Sequence, residues 1–266
     1  MRRLLAGSLL VALAATACGK GGSNQGLARL DQTGFISDAA VASQHAGTAK
    51  LAMTMKVQGP SAAESFEMKA DGLMDFNNKL FEFRGKFPAA SGLSGKVDVI
   101  IASGTEYALL PAPLASEMGG TAGKWIRMTK EQMGGGPDIS GLTTFSDPSG
   151  LFDVIKSYAS SVRVVGVSKV RGVDATEYLV TLDKSRLTAN LSGPEKSAFE
   201  SMPIPQMMVF VSADHLIRRE LMSYSADGGS FTMTFDLYDY GAPVHIAIPK
   251  ASDVLDMKNF PSPNSS

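Results

Sequence analysis

LAMTMKV (51–57), FEMKADGLMDF (66–76) and LFEFRGKF (80–87) are three nearly consecutive stretches that alternate between apolar and polar residues. In the first, Leu51, Met53, Met55 and Val57 alternate with Ala52, Thr54 and Lys56. In the second, Phe66, Met68, Ala70, Gly72, Met74 and Phe76 alternate with Glu67, Lys69, Asp71 and Asp75. In the third, Phe81, Phe83, Gly85 and Phe87 alternate with Glu82, Arg84 and Lys86. A period of two is that of a strand with one buried face. Gly59-Pro60 breaks the chain between the first two stretches. Asn77-Asn78 suits a two-residue hairpin turn between the second and third, because Asn tolerates positive φ. These stretches predict an antiparallel meander.

The pattern continues downstream. Val97, Val99 and Ile101 predict a fourth strand, and Ser103-Gly104 turns it into a fifth with Tyr107 and Leu109 as its apolar positions. Pro111–Gly123 reads as a loop and Lys124–Met128 as a short strand. In the second half, Val162–Val170, Thr176–Leu182, Met207–Val211, Ile217–Leu221 and Phe231–Leu237 are strand-like. Helices are predicted over Asp38–Thr48, from Asp147-Pro148 through Tyr158, over Asp183–Leu191 and Pro194–Ser201, and over Ala251–Met257. Asp before Pro is a strong helix start, since Asp caps the free amides and Pro loses no hydrogen bond there. The fold class expected is mainly β with helical insertions (α+β).

The N-terminus reads differently. Met1-Arg2-Arg3 is followed by the uncharged, mostly apolar Leu4–Ala17 and then by Cys18. Positive charge, a short apolar run and small residues before a cut site make an export signal. The run is shorter than the ~20 apolar residues of a membrane-spanning helix. Small residues directly before a lone cysteine resemble the lipobox of bacterial lipoproteins, although Ala15 stands where that pattern prefers Leu. The resemblance implies cleavage before Cys18 and a diacylglyceryl group on its thiol. Two acyl chains suffice for stable membrane anchoring. The domain organisation expected is a signal peptide over 1–17, a flexible tether over 18–37, one domain over 38–260 and a disordered tail over 261–266.

The 266 residues are 44% hydrophobic and 19% charged, with a net charge of −1, which fits a globular core. Without a cluster of Lys and Arg, nucleic-acid binding is excluded as a leading function. His45, His215 and His245 do not share a metal-ligand spacing, so neither metal nor cofactor is expected. No GxSxG occurs to supply a hydrolase nucleophile. Gly119–Lys124 is not a phosphate loop, because Trp125 stands where Ser or Thr must follow the lysine. Glu67, Asp71, Asp75 and Glu82 alternate outward, as on a solvated sheet face.

The lipobox, a helix, a meander with GTEYALL (104–110) before KWIRM (124–128), and then VVGVSKVRGVDATEYLVTLD (164–183) and FTMTFDLYDYGAPVHIAIP (231–249) resemble the actinobacterial LppX/LprG lipoproteins. That resemblance covers roughly Ala39–Met257. It implies a curved antiparallel half-barrel covered by helices, similar to the carrier LolA, with an acylated lipid in its hollow and a non-enzymatic role in the cell envelope. A candidate partner is an envelope transporter or enzyme.

Methionine is abundant on the apolar faces, including Met128 and Met208, and its flexible thioether adapts to ligands of variable shape. Leu51, Met53, Met55, Phe66, Met68, Met74, Phe81, Phe83, Met233 and Phe235 are therefore expected to line one apolar concavity that accepts acyl chains. The alternative is an interaction or regulatory lipoprotein in which the same residues fill an ordinary core.

Overall fold

The computed structural model describes residues 32–61, 65–89, 94–117, 121–129, 148–189, 206–226 and 228–256. Helix α1 (Thr33–His45) leads into β1 (Thr48–Gln58), β2 (Phe66–Asp75), β3 (Leu80–Phe87), β4 (Gly95–Ala102) and β5 (Thr105–Leu109). Helix α2 (Ala112–Glu117) and β6 (Trp125–Thr129) complete the first half. The second half contains α3 (Pro148–Tyr158), β7 (Ala159–Val170), β8 (Val173–Leu182), α4 (Lys184–Thr188), β9 (Gln206–Ser212), β10 (Ile217–Ala226), β11 (Gly229–Tyr238) and β12 (Val254–Asp256).

The twelve strands form one sheet in the order β12-β6-β5-β4-β3-β2-β1-β11-β10-β9-β8-β7. Every pairing is antiparallel except β12 with β6. β1 and β11 meet at the centre, so the last long strand joins the two halves. Helices α1 and α3 pack together, and their Ile36, Ala39, Phe152 and Ile155 enter the same apolar cluster as Leu51, Met53 and Phe235. One sheet face therefore supplies the core, and α1 and α3 lie against it.

Six local expectations are corrected. Helix α1 begins at Thr33 rather than Asp38, inside the segment assigned to the tether. Its Gln32 cap makes no side-chain hydrogen bond; the start is set instead by packing, with Ile36 fully buried and Phe35 against the Tyr178 ring. The helix does stop at Gly47, where φ is +82°. Phe76–Lys79 forms a four-residue turn instead of a two-residue one. Asp75 drives the difference, since its carboxylate accepts hydrogen bonds from both the backbone and the side-chain amide of Asn78. The predicted loop after Pro111 holds α2, whose Ala115 N–H bonds the Pro111 carbonyl.

On β5 the buried positions are Glu106 and Ala108, not Tyr107 and Leu109, because the Ser103-Gly104 turn fixes the register Ile101↔Glu106. Met208 faces away from the main core and packs with Phe210 and Leu221 in a second cluster. The closing helix expected over Ala251–Met257 is a single 3₁₀ turn, Ala251–Asp253, followed by β12. There the Asp256 carboxylate pairs with Arg127 of β6, and the strand ladder wins over the helix. Cys18, the remaining tether, the 261–266 tail and the Pro194–Ser201 helix lie outside the described residues.

Candidate ligand-binding face

Residues that are directly opposite in a sheet point to the same side, so the registers test whether the apolar positions share a face. Met55 of β1 lies opposite Met68 of β2 and Met233 of β11. Met53 lies opposite Ala70 and Phe235, and Leu51 opposite Gly72 and Leu237. Met74 faces Phe81, and Gly72 faces Phe83. Val57 faces Phe66. The structure thus brings all ten predicted residues to one face of β1, β2, β3 and β11. Nine of them are at most 6% exposed, and Phe66 is partly buried against the cluster.

Two glycines let this face close. A Cβ on Gly72 would come 2.6 Å from the Glu82 carbonyl oxygen and 3.1 Å from a Leu51 methyl. On Gly85 it would meet the Ala70 Cβ at 2.8 Å. The Leu51 side chain on the neighbouring strand occupies the space that a side chain at Gly72 would need.

In this conformation the face is packed rather than hollow. A recess of about 580 Å3 lies at the far end of β3 and β4, lined by Lys86, Phe87, Pro88, Ala89, Ser94 and Gly95. A second, of about 230 Å3, lies between α1 and β8, where Phe35, Tyr178 and His215 meet. Neither is lined by any of the ten residues. Among the described residues no three His, Cys, Asp or Glu side chains converge as metal ligands.

Two acids share the apolar face, and the alternation reading missed both. Glu106 lies opposite Ile101 and Met128 and is 6% exposed. Burial alone pushes its carboxyl up to about 7. Glu220 lies opposite Phe235 and Val209 and is fully buried, and neither carboxyl oxygen has a hydrogen-bond partner. Burial raises it well above the ordinary carboxyl range.

A β-bulge places Glu220 there. The β9–β10 register shifts between Ile217 and Arg219, so Ile217 and Glu220 both turn to the core and Leu221 turns away from it. The Ile217 backbone is held on both sides: Ser43 Oγ of α1 accepts its N–H at 2.9 Å, and the Tyr240 hydroxyl donates to its carbonyl at 2.5 Å. Arg218 turns to Asp214, and Arg219 to Asp236 on the opposite face, so neither cation reaches Glu220. The one available sequence signal was Arg218-Arg219-Glu220, three charges inside a strand pattern, where strict alternation cannot keep every charge outside.

No family model matches the chain. It is 28% identical over 183 residues to an uncharacterized 31.2 kDa protein of Streptomyces griseus, encoded in the rplA-rplJ intergenic region. That match takes in 64% of this chain and 59% of the relative, so the chain spans under two thirds of its relative's length. Among solved structures it is similar to LprF from Mycobacterium bovis, with a TM-score of 0.47, 13% identity, and coverage of 82% of this chain and 96% of LprF. It is similar to the lipoprotein LppX of Mycobacterium tuberculosis at a TM-score of 0.46 and 13% identity, covering 80% and 98% of the two chains. A LolA-superfamily protein of Nitrosomonas europaea aligns with a TM-score of 0.34 and 9% identity, over 78% and 93%.

Proposed function

We propose that the protein is an exported lipoprotein, held at the membrane by a diacylglyceryl group on Cys18, that carries or presents an acylated lipid without catalysing a reaction. The observation that supports this reading is the Met- and Phe-rich face itself. Ten residues on four adjacent strands share it, and two buried acids, Glu106 and Glu220, lie on the same side of the sheet, with both Glu220 oxygens lacking a hydrogen-bond partner. A core kept only for stability gains nothing from an unpaired buried carboxyl, which costs about 1–3 kcal/mol or more.

Because the face is packed, uptake requires α1 and α3 or the methionine side chains to move apart. Methionine favours such rearrangement, having three rotatable bonds and no branch point. Each methylene transferred from water contributes about 0.8 kcal/mol, so one acyl chain supplies ample driving force. Native mass spectrometry of the protein purified in mild detergent tests the reading. A bound species with the mass of an acylated lipid supports it; a ligand-free mass before and after incubation with envelope lipids contradicts it.

The near-complete burial of nine of the ten residues favours a second reading, a packed interaction protein that is a partner or regulator of an envelope transporter or enzyme. The same measurement separates the two.

A further inference from the structure

We infer that Glu220 is a ligand-binding residue, whose carboxyl group receives the ester or hydroxyl oxygen of an acylglycerol while the acyl chain lies along Met53, Met55 and Met233. The inference rests on the carrier reading above and adds to it a polar contact and a ligand class. Glu220 is fully buried, faces Phe235 and Val209, and lies two strands from Met53, with Phe235 between them in register. Both of its oxygens are without a hydrogen-bond partner.

No internal group is hydrogen-bonded to either oxygen. Of the hydroxyls on the segments packed against the bulge, Ser43 accepts the Ile217 N–H and Tyr240 donates to the Ile217 carbonyl. Arg218 and Arg219 are paired with Asp214 and Asp236. A carboxyl group in such a site is neutral, since an isolated buried charge is far costlier than a protonated acid. A neutral acid presents one O–H donor and one carbonyl acceptor. An ester carbonyl or a glycerol hydroxyl matches that pair. An ammonium head group does not, because receiving it would require ionising Glu220 inside the core.

Two fluorescent probes test this: diphenylhexatriene, which is pure hydrocarbon, and a pyrene-labelled monoacylglycerol. Wild type is expected to bind both. Glu220→Leu should keep diphenylhexatriene affinity within twofold and weaken the monoacylglycerol about fivefold to tenfold, the worth of one hydrogen bond. Glu220→Gln, which keeps a donor and an acceptor, should retain at least half of the monoacylglycerol affinity. The Leu variant should also melt at or above the wild-type temperature, because it removes an unsatisfied polar group. Should the Leu variant not fold, Glu220→Met serves as the apolar replacement. Unchanged monoacylglycerol affinity in a folded apolar variant overturns the role of Glu220 and leaves the carrier reading standing. Equal loss of both probes marks Glu220 as structural only and likewise overturns it. Failure of wild type to bind either probe removes the carrier reading and this inference together.

Discussion

Glu220 of β10 stands directly opposite Phe235 of β11, and both side chains are fully buried. An acid thus occupies a place that the alternation of an uninterrupted strand would give to an apolar residue. The bulge before Arg219 creates the arrangement, and Ser43 and Tyr240 hold it.

The two core acids set an unusual pH dependence. Glu106 is raised from 4.5 to about 7 by burial, so the folded protein keeps a proton that the unfolded chain releases over that interval. Stability is therefore expected to fall as pH rises from 4.5 to about 7, by roughly 3 kcal/mol for this group. Glu220, raised by its burial, acts in the same direction. Surface acids such as Glu67, lowered by Lys69 and Lys56, act oppositely, but only at lower pH, where they become protonated. Urea unfolding at pH 5 and pH 8 should show the protein less stable at pH 8, and Glu106→Gln should remove much of the difference. Higher stability at pH 8 contradicts the burial of these acids.

The clamp on Ile217 is testable through its hydrogen bonds. Ser43→Ala leaves the buried Ile217 N–H without a partner and should cost about 1–3 kcal/mol. Tyr240→Phe removes the donor to the Ile217 carbonyl and should cost about 1 kcal/mol. Because both grip one peptide segment, a double-mutant cycle by urea unfolding should show coupling above about 0.5 kcal/mol. Strict additivity would mean that the two contacts do not hold the bulge jointly.

Gly72 is required by space rather than by backbone angle. Gly72→Ala drives a methyl group to 2.6 Å from a backbone oxygen of β3, which cannot rotate away. Thermal unfolding should show a loss of roughly 1–3 kcal/mol. A neutral effect would mean that β2 and β3 separate more freely than their register implies.

Much of this fold is legible in the sequence, because strands with one buried face write their period directly into it. β1, β2, β3 and β11 carry unbroken alternation, and all ten predicted residues reach one face. The misreadings arise where a non-local contact decides. Helix α1 starts at Thr33 because Phe35 and Ile36 find partners distant in sequence, which no capping residue announces. The acids were missed because a bulge and a turn register move them inward: Glu220 shifts by one residue at Arg218, and Glu106 follows the tight turn at Ser103-Gly104. Period alone does not disclose a bulge, since an added residue merely reverses the faces after it.

The anchor proposal concerns Cys18 alone. Cys18→Ala should move the protein from the membrane fraction to the soluble fraction of fractionated cells, because both acyl chains are lost. Unchanged partitioning into membranes would refute lipidation as the means of attachment.

The central claim is that the face shared by Met53 and Met233 admits acyl chains, and uptake of a fluorescent acyl lipid by folded variants tests it most directly. Met53→Trp and Met233→Trp add bulk to that face, whereas Lys56→Ala and Glu67→Ala remove an exposed ion pair from the opposite side. An exposed pair is worth about 0–1 kcal/mol, less than two buried methylenes. The account predicts reduced uptake by the two tryptophan variants and wild-type uptake by the two alanine variants. Equal uptake by all four, or none by the wild type, would contradict it.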